Sequence, residues 1–297
     1  MILDRINGPK DLKTLSASER KELAQEIRQA MLKRASIHGG HFGPDFGIVE
    51  ATIALHTVFD SPKDKIVWDV SHQVYPHKIL TGRKQAYLEE EHYDDVSGYS
   101  NPAESEHDFF EVGHTSTSIS LASGLAMARD LQGGHENIIA VIGDGSMSGG
   151  EALEGLDTVG EMGTNMIIVL NDNQMSIAEV HGGMYKGFEE LRRTGGKSEH
   201  NLFRAMGLDY RFVADGNDSE ALIKVFREVK DIDHPVVVHI VTQKGKGYKF
   251  AEEDKESWHW HMPFDIETGE VKHPYVDEAA ELTATYLLDR MKTDKKL

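Results

Sequence analysis

Residues 138–175, IIAVIGDGSMSGGEALEGLDTVGEMGTNMIIVLNDNQM, constrain the fold more than any other stretch. The run Ile138-Ile139-Ala140-Val141-Ile142 has the length and β-branched content of a strand buried on both faces. Gly143-Asp144-Gly145 breaks it. Ala152, Leu156, Val159 and Met162 then recur at helical spacing behind Ser148, which stands where a capping residue belongs, until Gly160 and Gly163 weaken the helix. Met166-Ile167-Ile168-Val169-Leu170 is a second buried strand. A strand, a helix and a strand in this order form one βαβ unit with parallel, neighbouring strands. Asp144 and Asn173 fall just beyond the carboxyl ends of those strands, so their side chains are expected to meet.

Gly143-x-Gly145 ahead of a helix suggests a dinucleotide fingerprint, in which backbone N–H groups and a helix N-terminus hold a pyrophosphate. Two features argue against it. Ser148 occupies the place of the third glycine, and no acidic residue closes the second strand where a ribose would need one. A carboxylate aimed at a diphosphate also repels it unless a cation lies between them. With Mg²⁺ or Ca²⁺ in place, the Asp144 carboxylate, the Asn173 amide oxygen and one backbone carbonyl supply hard oxygen ligands and leave positions free for phosphate oxygens. A metal-bridged diphosphate is the better reading.

Gly143-Asp144-Gly145 followed by Asn171-Asp172-Asn173 resembles the metal and diphosphate signature of thiamine-diphosphate enzymes. Four segments in order, Trp68 to Lys78, Gly113 to Ser118, Asn171 to Ile177 and Lys244 to Tyr248, are similar to the 1-deoxy-D-xylulose-5-phosphate synthase family. The resemblance spans about His41 to His259. It implies thiamine diphosphate and Mg²⁺ as cofactors, with Asp144, Asn173 and Met175 at the metal. It places His72, Gly113, His114, Ser116, Gly143, Gly145, Ser146 and Lys244 around the cofactor, and His41, His72 and His259 at the reacting centre. The reaction implied is condensation of pyruvate with glyceraldehyde 3-phosphate, releasing carbon dioxide. In this family the Glu that acts on the cofactor's aminopyrimidine belongs to a second domain, so the chain is expected to be the diphosphate-binding half of a longer or split enzyme. Its partners would be small-molecule substrates, with a homo-oligomer or a complex with a pyrimidine-binding half as its assembly. Two alternatives stand beside this: the N-terminal subunit of a transketolase-like ketol transferase, and a non-catalytic cofactor-binding half acting through assembly.

The residues support these positions to different degrees. Lys65 to Val70 reads as a strand, and His72 follows at its carboxyl end, the side on which open parallel sheets bind ligands. His41 lies in the loop read over His41 to Gly47. Its neighbour His38 could suggest a zinc pair, but no HExxH pattern or third ligand accompanies them. His77 is read as structural. Lys244 follows a strand over Val236 to Val241 and is placed to reach an anionic group.

A formal net charge of −18 argues against nucleic acid as a partner, because a phosphate backbone needs a concentrated basic face. The chain has no Cys, which excludes a disulfide framework or a thiolate metal site. No stretch nears the length of a membrane span and Met1 to Pro9 does not read as a signal peptide, so a soluble, cytoplasmic protein is expected.

The expected architecture is a doubly wound α/β domain over 1–262, with a mainly parallel sheet, helices on both faces and an N-terminal helical region. Ser16 to Glu19 is a capping box that opens the first long helix. Val49, Ile53 and Val58 begin another, and a helix from about Asp218 to Lys230 separates strands at Tyr210 to Val213 and Val236 to Val241. Gly182 to Ser198, basic and glycine-rich where the synthases carry a longer insertion, is expected to be a mobile loop. A linker over 263–276 precedes a helix over 277–297 whose apolar side is Ala279, Leu282, Tyr286, Leu287 and Met291. That helix would open a second domain, and is expected to pack back on the first or pair with another copy.

Overall fold

The computed structural model describes residues 1–272 and 278–296. Its main elements are α1 (Ala17–His38), β1 (Gly40–His41), α2 (Val49–Val58), β2 (Lys65–Trp68), α3 (Ser118–Leu131), β3 (Ile138–Gly143), α4 (Gly150–Met162), β4 (Met166–Asp172), α5 (Gly183–Arg193), β5 (Asp209–Val213), α6 (Ser219–Val229), β6 (Pro235–Val241), β7 (Trp260–His261) and α7 (Glu278–Thr293). The capping box forms as expected: Ser16 Oγ accepts from the Glu19 amide, and the Glu19 carboxylate accepts from the Ser16 amide at 2.8 Å.

Five strands make one sheet in the order β2-β3-β4-β6-β5, all neighbours parallel. Alternation along each strand divides the core between two layers. Ile139 and Val141, Ile167 and Val169, and Val236 and Val238 pack under α2 and α6. Ala140, Ile142, Ile168, Leu170 and Val237 face the opposite layer, which contains α3, α4 and α5. Strands covered on both sides must be apolar throughout, which is why β3 and β4 read as unbroken hydrophobic runs. This is the doubly wound arrangement expected.

Four local expectations need correction. Ser148 does not cap the crossover helix: Asp144–Met147 forms a helical turn of its own, Ser148 ends it, and α4 starts after Gly149 and stops at Gly163, whose φ of 60° lies in the left-handed region. Residues 41–47 are not simply a loop, since Gly43–Gly47 is a short buried helix with Pro44 in its first turn. The segment from Gly182 is not a loop either. Gly182 and Gly183 lie at the start of α5, Gly187 lies within it and Gly195 and Gly196 follow its end at φ of 60° and 77°, whereas Phe188 and Leu191 are buried against the sheet layer. An apolar stripe of that kind needs a partner layer, and a helix is what the stripe buries.

The fourth correction concerns the linker read from 263. Over 263–272 the chain lies on the domain: Phe264 is fully buried, its ring 4.8 Å from that of Trp258, and Lys272 Nζ donates to the Ser36 carbonyl. The remainder of that linker, 273–277, lies outside the described residues. Phe264→Ala should therefore cost about 3–5 kcal/mol, read as a lower midpoint in urea unfolding, whereas a free linker would show no change. Helix α7 forms, but none of its residues is buried, and Leu282, Tyr286, Leu288 and Met291 are each more than half exposed. Among the described residues it does not pack back on the domain. Among the described residues no helix is long and apolar enough to cross a membrane.

Candidate active site

The carboxyl ends of β2, β3, β4 and β6 open onto a cavity of ≈ 260 Å³. Its lining includes His41, His72, Gly143, Asp144, Gly145, Ser146, Asn173, Met175, Lys244 and His259. The register pairs Gly143 with Asn171, so Asp144 and Asn173 leave the sheet side by side. Gly145 allows the next segment to close over them. A Cβ there would lie 2.8 Å from the Ser176 side chain, so only glycine lets the two turns touch.

Three histidines converge although they are far apart in sequence. The ribbon formed by β1 and β7 pairs His41 with Trp260, which brings His41 beside His259. Their rings are 5.8 Å apart, and His72 stands 4.9 Å from His41 and 5.3 Å from His259. Burial pushes His41 and His259 down to about 4 and His72 well below its ordinary value; His41 and then His259 depress His72 further, and Lys244 and then His41 depress His259. All three are neutral near pH 7, and neutral imidazoles can both give and accept a hydrogen bond. The Nδ1 atoms of His72 and His259 are buried without a hydrogen-bond partner among the described residues.

Asp144 is the second anomaly. Both carboxylate oxygens are buried, and among the described residues neither makes a hydrogen bond of good geometry; the nearby amides of Asn173 and Gly145 offset the lost water only in part. Burial, and then the Asp172 charge, push it up to about 7. An ionised carboxylate held this way is costly unless a cation is supplied. Asn173 lies opposite, its Oδ1 accepting from the Met175 amide at 3.1 Å with a lone pair to spare. Carboxylate, amide oxygen and backbone carbonyl are the hard donors a Mg²⁺ ion takes. The residues present therefore fit the metal.

The other expected positions differ in their relation to the cavity. Gly113 and His114 are exposed and do not line the cavity; His114 Nδ1 is 2.7 Å from the Thr115 carbonyl oxygen. Ser116 is buried just outside it and donates to the Ser146 carbonyl. Lys244 lines the cavity, but its Nζ donates to the carbonyls of Ser176 and Ile177, so it ties down the segment over the site. Burial lowers it to about 8, against the pull of Asp144. His38 pairs with Asp94, away from His41, and His77 is buried between His56 and Asp108.

The sequence reading missed Asp69. Its two oxygens accept from the amides of Ser116 and Ser118 at 2.8 and 2.9 Å, which holds the 114–118 loop at the start of α3. Val70 and Ser71 follow at φ of 57° and 62°, unusual for residues with a Cβ, and turn His72 into the cavity. An Asp at the end of β2, before a break in strand pattern, was the available signal.

A family model described as 1-deoxy-D-xylulose-5-phosphate synthase matches residues 3–198 and 194–242. The chain belongs to the 1-deoxy-D-xylulose-5-phosphate synthase family. The two matched stretches of that family meet at 194–198, so the interruption of its pattern falls just beyond α5. The synthase of Geobacillus thermodenitrificans is 42% identical over 306 residues, covering 91% of this chain and 49% of that protein. The synthase of Syntrophomonas wolfei is 39% identical and covers 100% of this chain and 52% of that one. The chain thus spans about half the length of the curated relatives it matches. Among solved structures, transketolase from Leishmania mexicana aligns with a TM-score of 0.64 at 18% identity, over 93% of this chain and 45% of that one. At that identity the likeness is one of fold.

Proposed function

We propose that residues 1–297 form the diphosphate- and metal-binding side of a cytoplasmic, thiamine-diphosphate-dependent transferase that condenses pyruvate with glyceraldehyde 3-phosphate to 1-deoxy-D-xylulose 5-phosphate and carbon dioxide. The observation that carries this reading is the buried Asp144 carboxylate, paired with no side chain among the described residues, facing Asn173 in a cavity where three neutral imidazoles meet. Membership of the synthase family supports it.

In this reading Asp144, Asn173 and the Met175 carbonyl hold Mg²⁺, and the amides around Gly145 and Ser146 face the diphosphate. Thiamine diphosphate, when bound, supplies the electron sink that decarboxylation and carbon–carbon bond formation need. His41, His72 and His259 then act on substrate oxygens. Being neutral, each can donate to a carbonyl oxygen through one ring nitrogen and pass or take a proton as that oxygen becomes a hydroxyl. Lys244 fixes the Ser176–Ile177 backbone as one wall of the site and helps exclude water. A complementary pyrimidine-binding half completes the opposite wall, supplied within a homo-oligomer or by a complex with a separate chain.

Calorimetric titration tests the binding step. Thiamine diphosphate should bind in the presence of Mg²⁺ and lose its measurable heat when EDTA is added. Equal binding with and without the metal would contradict a metal-bridged diphosphate.

A further inference from the structure

Helix α5 touches both turns that carry the proposed metal ligands. Near its start the Tyr185 hydroxyl donates to Ser148 Oγ at 2.8 Å, and Ser148 Oγ donates to the Gly145 carbonyl at 3.2 Å. That carbonyl belongs to the turn bearing Asp144. Near its end the Arg192 guanidinium donates to Asp172 Oδ2. Tyr185 and Arg192 are seven residues apart, two helical turns, so they project from one face about 10 Å from each other. Phe188 and Leu191 are buried against the sheet layer and fix the helix between the two contacts.

Asp172 is more than an anchor for Arg192. Its side chain is fully buried, and Oδ2 also lies 2.8 Å from His239 Nε2, whose Nδ1 is 2.8 Å from the Tyr210 hydroxyl. Oδ1 accepts from the Gln174 amide at 3.2 Å, and Gln174 sits at φ 64°. The next amide, Met175, donates to Asn173 Oδ1. Asp172 therefore shapes the turn that presents Asn173 and the Met175 carbonyl. Neither Tyr185 nor Arg192 lines the 260 Å³ cavity, so any influence on a ligand there passes through other residues.

We propose that α5 is a brace that holds the Asp144 turn and the Asn173 turn at a fixed separation, with Tyr185 and Arg192 as its positioning residues; this rests on the metal site proposed above. Mg²⁺ demands near-ideal octahedral geometry, whereas Ca²⁺ accepts flexible ligand sets at longer distances. Loosening the brace therefore weakens Mg²⁺ more than Ca²⁺.

The test uses Arg192→Met, Arg192→Lys and Tyr185→Phe in the full chain. Calorimetry reads Mg²⁺ and Ca²⁺ affinity at saturating thiamine diphosphate, and amide hydrogen exchange reads Gln174 and Met175 in the metal-free protein. Arg192→Met should weaken Mg²⁺ by about 10–100-fold, the range for removing an outer-shell partner, and Ca²⁺ by a smaller factor. Exchange at Gln174 and Met175 should speed up, and Arg192→Lys should recover much of both effects. Tyr185→Phe, which removes a single hydroxyl and keeps the ring on Phe188, should weaken Mg²⁺ in the same direction and keeps the test open if Arg192→Met does not fold. Unchanged exchange at both amides, or equal loss of both metals with a lower melting temperature, overturns the brace. If the parent protein shows no metal-dependent binding, the proposed site falls, and the exchange measurement still decides on the brace by itself.

Discussion

Asp144→Asn is expected to abolish Mg²⁺-dependent binding of thiamine diphosphate and, in the metal-free protein, to raise stability. The two effects share one cause. Asp144 is 1% exposed, and its carboxylate is paired with no side chain among the described residues. Its pKa in the folded chain rises from the ordinary 3.8 to about 7, with burial first and Asp172 second as causes. A carboxyl group whose folded pKa is raised destabilises the fold as it ionises. The cost is absent below pH 3.8, grows between pH 3.8 and about 7, and is complete above that. A change from 3.8 to about 7 corresponds to about 4 kcal/mol at most. The neutral, isosteric amide avoids it, so the metal-free variant should melt several degrees higher at pH 8 and no higher at pH 4. Calorimetric titration and thermal unfolding at both pH values check this. A variant that binds the cofactor as the parent does, or that is destabilised at pH 8, would show that Asp144 is a structural group.

The second large effect is an absence of catalysis. Residues 1–297 purified by themselves should bind the cofactor weakly and release no carbon dioxide from pyruvate over repeated turnovers. The acidic residues that line the cavity are Asp69 and Asp144. Asp69 is committed to the amides of Ser116 and Ser118, and Asp144 to the metal. No carboxylic acid of the lining remains to act on an aminopyrimidine. The chain also covers about half of its relatives. Adding the complementary half should restore turnover by orders of magnitude. Sustained turnover by this chain in the absence of any partner would sink the proposal.

Much of the scaffold was legible because the doubly wound sheet writes itself in local patterns. β3 and β4 are apolar on both faces, and the boundaries of α1 and α6 were marked by the Ser16 capping box and by Asp218, whose side chain accepts from the Glu220 and Ala221 amides. The placement of Asp144 beside Asn173 followed from parallel pairing alone. Other parts were hidden for physical reasons. Helix α5 was masked by Gly182, Gly183 and Gly187, although Met184, Phe188 and Leu191 carry its apolar spacing. Composition outweighed periodicity there, and the periodicity was right. Burial of Phe264 depends on an aromatic cluster with Phe42, Tyr248 and Trp258, contacts distant in sequence that no local pattern announces. The exposure of His114 is likewise a matter of side-chain direction, since the loop lies where expected while the ring turns to its neighbour's carbonyl.

The two-residue ribbon of β1 and β7 joins His41 to Trp260, partners separated by 219 positions (260 − 41). A contact of such separation is among the last a chain can make, because the entropy of closing so long a loop must be offset by structure already formed between its ends. During synthesis the sheet and the Asp144 turn can assemble once β6 has emerged, but the imidazole cluster stays open until His259 and its strand arrive. The pocket is therefore finished late, after the scaffold that supports it. A nascent chain carries the elements of the metal site well before it carries the groups that would act on substrate, which separates the capacity to hold a charged ligand from the capacity to use it.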